Sequence, residues 1–128
     1  MKIKRALICG ISGQDGTLLA DFLLKKGYEV WGTSRDANGN NLKNLISKNI
    51  INNVSILTMV PEDFRSVFMA IKISSPDELY FLAGQTSVGL SFELPAETIQ
   101  SIAIGSLNIL EACRLYEKEI KIYRVISS

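Results

Sequence analysis

Three glycines near the N-terminus are spaced to form a loop that binds phosphate groups. The segment Gly10-Ile11-Ser12-Gly13-Gln14-Asp15-Gly16 has the pattern Gly-x-x-Gly-x-x-Gly, and it follows an apolar run and precedes a helical pattern. Gly10 permits a tight turn, Gly13 lets the backbone approach a pyrophosphate, and Gly16 lets a helix pack closely on a strand. The sequence therefore predicts a dinucleotide-binding loop, with a purely structural turn as the alternative.

Two further features narrow the chemistry of this loop. The free N–H groups and the positive dipole end of the following helix attract phosphate, and Asp15 is favourable in the first helical turn without having to face the anion. No Gly-Lys-[Ser/Thr] follows, so the loop is not a P-loop. The spacing is one residue longer than Gly-x-Gly-x-x-Gly and resembles that of the short-chain dehydrogenase/reductase group.

The residues after the second predicted strand bear on the choice between NAD and NADP. A carboxylate there binds the ribose 2′-hydroxyl of NAD, whereas an arginine accommodates the 2′-phosphate of NADP. Ser34 stands where the acid is expected, and Arg35 follows with a guanidinium suited to phosphate. The sequence favours NADP, although Asp36 could pair with Arg35 or replace the missing acid, and Arg35 could be an ordinary solvated charge.

Composition excludes several other kinds of chemistry. The 128 residues contain no histidine, which rules out a Ser-His-Asp or Cys-His nucleophile, and we expect no metal site. With 14 Lys+Arg against 13 Asp+Glu, the net charge of +1 gives no reason to expect nucleic acid or an anionic membrane as partner. Cys9 and Cys113 lie within apolar segments, which predicts buried free thiols. Because no apolar run approaches a membrane span or a signal h-region, we expect a cytoplasmic soluble protein.

Apolar periodicity predicts the elements that position the glycine loop and Arg35. Ala6–Cys9 has the pattern of a strand buried on both faces. Further strands are predicted at 28–33, 54–57, 78–82 and 121–126. One helix is predicted from the apolar stripe Leu18, Leu19, Phe22 and Leu23. A second is predicted from Phe64, Val67, Phe68 and Ile71, with Glu62 or Asp63 as its cap. The longest helix is predicted over 96–117. The Asn-rich stretch 37–53 is predicted to be a surface excursion with one or two weak helical turns.

This alternation of strands and helices predicts the fold class. Crossovers of this length join parallel strands, so the expected architecture is an α/β Rossmann-type doubly wound sheet in three αβα layers. The expected strand order is 3-2-1-4-5. At 128 residues the chain has the length of one domain.

The long predicted helix carries more apolar side chains than one buried face needs. These residues are Ile99, Ile102, Ala103, Ile104, Leu107, Ile109, Leu110, Cys113 and Leu115. A helix that covers only a sheet needs a single apolar stripe. The excess predicts a second contact, with further sequence or with another subunit, and hence a homo-oligomer or poor solubility. Deep burial within this domain is the alternative.

A second sequence segment carries a resemblance to a known family. The stretch from Leu82 to Pro95 reads LAGQTSVGLSFELP, and together with Gly13-Gln14-Asp15-Gly16 it resembles the GDP-mannose 4,6-dehydratase family of extended short-chain dehydrogenases. The resemblance runs through essentially the whole chain but covers about the first third of a full member. It implies an NADP-dependent conversion of GDP-mannose to GDP-4-keto-6-deoxymannose by an internal hydride shuttle.

The resemblance also implies roles for individual residues. Its cofactor-binding residues are Gly10, Ser12, Gly13, Gln14, Asp15, Gly16, Arg35, Leu82, Ala83, Gly84 and Gln85. Thr86, Val88 and Ser91 match the region that approaches the sugar nucleotide. Ser127 matches a catalytic hydroxyl that hydrogen-bonds the substrate 4-position, whereas without the resemblance it would be taken as an exposed strand end.

The chain departs from the family pattern at three places, of which Cys9 in place of the usual Thr changes little. Members carry an Asp-Leu pair after the third strand, where the Asp contacts adenine, but this chain has Met59-Val60-Pro61-Glu62-Asp63 and only Asp63 as a weak candidate. The Glu expected after Ser128 and the later Tyr-x-x-x-Lys pair are absent. We therefore expect a truncated NADP-binding domain at 1–128, without a substrate domain and inactive by itself. The alternatives are a related NAD(P)-dependent sugar-nucleotide epimerase or reductase and a non-catalytic NADP-binding module.

Overall fold

The computed structural model describes residues 2–36, 42–82 and 96–124, which form one parallel sheet with helices on both faces. The strands are β1 (Arg5–Cys9), β2 (Glu29–Ser34), β3 (Val54–Thr58), β4 (Glu78–Phe81) and β5 (Lys121–Arg124). The helices are α1 (Gln14–Lys25), α2 (Lys43–Ser47), α3 (Phe64–Ser74) and α4 (Ala96–Leu115). The strand order β3-β2-β1-β4-β5, parallel throughout, confirms the predicted fold class.

The central strand β1 divides the core into two layers because its side chains alternate between the faces of the sheet. Leu7 and Cys9 pack with residues of α3 and α4, whereas Ala6 and Ile8 pack with residues of α1 and α2. Ala6, Leu7 and Ile8 are fully buried, which explains the uninterrupted apolar run in the sequence. The three αβα layers follow from this alternation.

Helix α1 buries a different set of residues from the predicted stripe. Its buried positions are Gly16, Thr17, Ala20 and Leu23. The helix that the apolar spacing predicted is present, but Leu18 and Phe22 are about half exposed, and the Lys26 Nζ lies 4.9 Å from the centre of the Phe22 ring. The first turn approaches the Gly10 turn closely at Gly16, and farther along the helix Leu23 is buried and Leu19 packs against the core.

Helix α3 begins at the cap that the sequence suggested. The Asp63 side chain accepts a hydrogen bond of 3.1 Å from the Arg65 N–H, which selects Asp63 over Glu62 as the cap. Val67, Ala70 and Ile71 are buried against the sheet. Phe68 packs against the same core cluster, and of the predicted apolar stripe only Phe64 at the first turn is exposed.

Helix α4 carries an exposed apolar face as well as a buried one. Ile109, Ala112 and Cys113 face the core, and the opposite side exposes Ile104, Leu107, Leu110 and Leu115. Leu107 is 64% exposed. The alternative of unusually deep burial within the domain is therefore wrong for these four side chains.

Both cysteines are free and buried, as predicted. Burial raises the pKa of the Cys9 thiol to about 12 and that of Cys113 to about 11. Neither thiol is ionised near neutral pH, so neither is a nucleophile in this fold. Within residues 2–36, 42–82 and 96–124, no helix has the length and apolarity needed to cross a membrane.

Candidate nucleotide-binding site

The glycine loop lies at the carboxyl edge of the sheet, directly after β1. Gly10 has a φ of +92°, a conformation that favours glycine, and the chain turns there toward α1. The N–H groups of Gly10 and Ile11 both donate to the Thr33 carbonyl at 3.1 Å. The loop is therefore fixed to the end of β2, and its position depends on the β1–β2 pairing.

The N-terminus of α1 begins within the loop and has no side-chain cap. Gly13 is the N-cap residue, Gln14 is the first helical residue, and Gly13 makes no side-chain capping hydrogen bond. The N–H groups of a first turn have no partner within their own helix, so they remain available to an anion. Asn44 of α2 donates to the Ser12 carbonyl at 3.0 Å and fixes the loop from the other side.

Gly16 permits the close contact between α1 and β1. A Cβ at this position would lie 2.5 Å from the Gly10 carbonyl oxygen and 2.8 Å from the Ile11 Cα. Both are backbone atoms that cannot move aside without shifting the loop. The structure thus supplies the steric reason for the third glycine, and Thr17 Oγ1 adds a 3.3 Å bond to the Ile11 carbonyl.

The end of β4 lies beside the glycine loop. The Leu82 N–H donates to the Cys9 carbonyl at 3.1 Å, and the Leu82 Cβ lies 3.5 Å from where a Cβ on Gly10 would stand. Leu82 is buried. The other predicted residues lie outside the described part of the chain, namely Ala83, Gly84, Gln85, Thr86, Val88, Ser91 and Ser127.

Arg35 follows β2 at the same edge of the sheet. Its side chain is 60% exposed and its Nη2 donates to Glu62 Oε1 at 2.7 Å. Ser34 is buried and its Oγ donates to the Asp36 carbonyl at 3.2 Å. The structure therefore gives Arg35 an ion pair with Glu62, a residue from the turn after β3.

Glu62 is the main site residue that the sequence analysis did not assign. Its second oxygen, Oε2, accepts a 3.1 Å hydrogen bond from Ser101 of α4. The hydrogen bond from Arg35 is the main cause that lowers the pKa of the Glu62 carboxyl, so this group is ionised at neutral pH. Asp63, the weak candidate for an adenine contact, serves as the α3 cap.

The strand order could have indicated Glu62, whereas nothing in the sequence indicated Asn44. Glu62 follows β3, and in a parallel sheet the residues after neighbouring strands meet at one edge, so its proximity to Arg35 was predictable once β2 and β3 were paired. Asn44 stands in the polar stretch that was taken for a surface excursion. Nothing in its spacing shows that its amide reaches the glycine loop.

A second polar cluster lies at the opposite, amino edge of the sheet. A pocket of about 280 Å³ there is lined by Lys2, Lys4, Asp77, Glu78, Glu119 and Lys121. The buried Glu78 accepts hydrogen bonds from Tyr28 at 3.2 Å and Tyr80 at 2.8 Å. Burial raises the pKa of both tyrosines, so they remain protonated donors and not bases. This cluster balances its own charges and joins strands. In the described ranges, no group of three or more Cys, Asp or Glu side chains is arranged so that it could hold a metal ion.

The strand order and the glycine loop define the class of protein. A parallel 3-2-1-4-5 sheet with a glycine loop between β1 and α1 is a Rossmann-type dinucleotide-binding domain. Solved sugar-nucleotide enzymes share the fold. The Thermus thermophilus UDP-glucose 4-epimerase, solved with NAD, is 30% identical with a TM-score of 0.70, over 86% of this chain and 33% of that one. The Thermotoga maritima UDP-glucose 4-epimerase, solved with UDP-glucose, is 27% identical with a TM-score of 0.73, and the match covers 92% of this chain and 37% of that one.

Sequence comparison then gives the family within this class. The family profile for GDP-mannose 4,6 dehydratase matches residues 7–128. A GDP-mannose 4,6-dehydratase of Vibrio cholerae is 39% identical over 98% of this chain and 36% of its own length. GDP-mannose 4,6 dehydratase 1 of Arabidopsis thaliana is 37% identical over 98% of this chain, which is 37% of its own length. The chain belongs to the GDP-mannose 4,6-dehydratase family, and it spans just over a third of the length of these relatives.

Proposed function

We propose that residues 1–128 form the NADP-binding domain of an enzyme that converts GDP-mannose to GDP-4-keto-6-deoxymannose. The observation that carries the proposal is the placement of two phosphate-binding features on one edge of the sheet. The uncapped N-terminus of α1 follows β1, and Arg35 follows the adjacent strand β2. The family membership supports the substrate.

The residues present fit a dinucleotide. The turn at Gly10 and the bare backbone at Gly13 leave room for a pyrophosphate, which the first-turn N–H groups of α1 would bind. Arg35 would bind the 2′-phosphate through the guanidinium donors that Glu62 does not occupy. When bound, NADP supplies the hydride transfer. These groups of the protein bind and orient the cofactor.

Several assignments from the sequence are part of the same proposal. Ser12, Gln14, Asp15 and Gly16 contribute the loop and first turn around the phosphates. Leu82, whose backbone meets the loop, is proposed to begin the segment that lines the nicotinamide side, continued by Ala83, Gly84 and Gln85. Thr86, Val88 and Ser91 are proposed to contact the sugar nucleotide, and Ser127 the reacting hydroxyl. A cytoplasmic location and a homo-oligomer that uses the exposed face of α4 stay predictions.

Replacement of Arg35 tests the cofactor assignment. Nicotinamide fluorescence is titrated with NADPH and with NADH on the full 128-residue chain and on Arg35→Met, which keeps much of the apolar stem and removes the charge. We expect Arg35→Met to weaken NADPH binding roughly tenfold, since a charge-assisted phosphate contact is lost, and to leave NADH binding within about twofold.

Arg114→Met is the matched control for Arg35→Met. Arg114 is likewise an exposed arginine paired with a glutamate, Glu111, but it lies on α4. We expect it to change neither affinity. Equal binding of NADPH and NADH by the unmodified chain, or equal losses for both cofactors in Arg35→Met, would contradict the role of Arg35.

A further inference from the structure

Glu62 presents a carboxylate at the place where the adenosine ribose is expected. Its Oε1 lies 2.7 Å from Arg35 Nη2, and its Oε2 lies 3.1 Å from Ser101 Oγ. The contact with Arg35 uses one of the five guanidinium donors, so the arginine keeps donors for a second anion. A ligand at Arg35 would therefore meet a positive and a negative group side by side.

The position of Glu62 is fixed by α4. Asn108 donates to the Pro61 carbonyl at 2.9 Å, and a Cβ at Gly105 would lie 2.9 Å from the Pro61 Cβ, so helix and turn are in close contact. The Val60 N–H donates to Ser66 Oγ at 2.9 Å at the other end of the turn. These contacts hold the Glu62 carboxylate in one position, unlike a surface carboxylate that rotates freely.

We propose that Glu62 is a specificity-determining residue. Its carboxylate accepts a hydrogen bond from the adenosine ribose 2′-hydroxyl of NAD and weakens the binding of the 2′-phosphate of NADP. The inference rests on the proposed cofactor site. In dinucleotide-binding folds the acid that binds this hydroxyl normally stands at the end of the second strand. Here Ser34 occupies that position, and the carboxylate comes from the turn after β3 instead.

The charges explain the direction of the effect. A 2′-phosphate brings about two negative charges next to the Glu62 carboxylate, and their repulsion opposes the attraction of Arg35. A 2′-hydroxyl instead donates a charge-assisted hydrogen bond to the same oxygen atoms. Holding an exposed arginine in one orientation contributes little by comparison. Glu62 therefore favours NAD over NADP, in opposition to Arg35.

Glu62→Gln tests this inference because glutamine keeps the shape and the Ser101 contact while removing the charge. The unmodified chain and the variant are titrated with NADPH and NADH. We expect the ratio of NADPH to NADH affinity to rise about fivefold in Glu62→Gln, through tighter NADPH and weaker NADH binding. In 1 M salt, where the Debye length is about 3 Å, most of this change should disappear.

Two further variants separate charge from structure. Ser101→Ala removes the bond that places Glu62 and should raise the ratio in the same direction by a smaller factor. Glu111→Gln, which breaks the Arg114–Glu111 pair on α4, should leave the ratio unchanged. Thermal unfolding of each variant shows that the fold is retained.

The possible outcomes distinguish this inference from the proposed function. An unchanged or lower ratio in Glu62→Gln, with Arg35→Met still abolishing the NADPH preference, overturns the role of Glu62 alone; a lower ratio would mean that Glu62 orients Arg35. If the unmodified chain binds neither cofactor, the proposed function fails and the inference fails with it.

Discussion

Gly16 sets the distance between the glycine loop and the helix that follows it. Its missing side chain lets the first turn of α1 rest on the carbonyl of Gly10, so the helix N-terminus points along the carboxyl edge of β1. The requirement comes from contact with backbone atoms and does not come from an unusual φ. An alanine there would displace either the loop or the helix.

Gly16→Ala is expected to damage both the fold and cofactor binding. Its Cβ would overlap the Gly10 carbonyl at 2.5 Å, which we expect to lower the free energy of unfolding by about 1–3 kcal/mol as overpacking does. NADPH affinity should fall at least tenfold, because the first-turn N–H groups of α1 move. Urea unfolding and NADPH titration measure the two effects.

Gly27→Ala is the control for this substitution. Gly27 lies just after the other end of α1 and has a φ of +88°, and a Cβ added there would have no atom within 4 Å. Its replacement costs about 1 kcal/mol through the backbone alone and should leave NADPH affinity unchanged. Unaltered NADPH binding in Gly16→Ala would show that the α1 N-terminus does not bind the phosphates.

At the scale of elements, Asp77 connects three strands at the amino edge of the sheet. Its Oδ2 accepts from the Arg5 N–H at 2.8 Å, its Oδ1 lies 2.9 Å from Lys118 Nζ, and its carbonyl accepts from the Lys121 N–H at 3.0 Å. The Arg5 N–H bond first, and then Lys118, hold the pKa of the Asp77 carboxyl below its ordinary value. A lowered pKa in the folded state stabilises the fold when the group is ionised.

Asp77→Asn is expected to reduce stability in a pH-dependent way. At pH 7 the loss should be about 1 kcal/mol, because one charge-assisted hydrogen bond and one partly buried ion pair are weakened. The contribution of the ionised group is present above the unfolded-state pKa and disappears as the pH falls through the lowered folded-state pKa. The difference between the two proteins should therefore shrink below about pH 4. Urea unfolding from pH 7 to pH 2.5 measures it.

Asp21→Asn provides the comparison for Asp77→Asn. It opens the i,i+4 pair with Lys25 on α1, which is worth only about 0.3–0.5 kcal/mol. A stability difference for Asp77→Asn that stayed constant down to pH 2.5 would contradict an effect of the charge.

Helices α1 and α3 also show why the sequence predicts the position of a helix better than it predicts which face of the helix is buried. The positions of α1 and α3 followed from apolar spacing and from the Asp63 cap, both local properties. The outward direction of Leu18 and Phe22 follows from the contact of Gly16 with the Gly10 turn, which is a tertiary distance. The apolar stripe therefore identified the helix but not which of its leucine and phenylalanine residues are buried.

At the scale of the whole molecule, the exposed apolar face of α4 is where we predict self-association. Leu107 and Leu110 lie there, and the sequence had already indicated that this helix has more apolar surface than the sheet can cover. Exposed apolar groups on one helix face gain free energy when another surface buries them. The site at the carboxyl edge was predictable from motifs, whereas the pairing of Arg35 with Glu62 required the sheet order and the packing of α4.

Leu107→Lys is expected to reduce self-association of the chain. Burial of one leucine contributes about 1.5–3 kcal/mol, so a charge at its position should raise the dissociation constant at least tenfold. Sedimentation velocity at several concentrations measures this. Ile46→Lys, an equally apolar and exposed position on α2, should have no such effect. A monomer at all concentrations, or equal effects of both variants, would contradict an interface on α4.

Strand β1 lies at the centre of the sheet and pairs with β2 on one side and with β4 on the other, and these two pairings differ in their cost in chain entropy. In the register of the sheet, Ala6 pairs with Val30 of β2 and with Glu78 of β4, a partner much farther along the chain. Closing the short β1–α1–β2 loop costs less chain entropy than closing the long one to β4. The two bonds from the glycine loop to Thr33 lie within the local β1–α1–β2 unit. The Ser101 contact with Glu62 instead depends on long-range closure, so the proposed phosphate site and the proposed 2′-position specificity differ in the chain entropy that their formation costs.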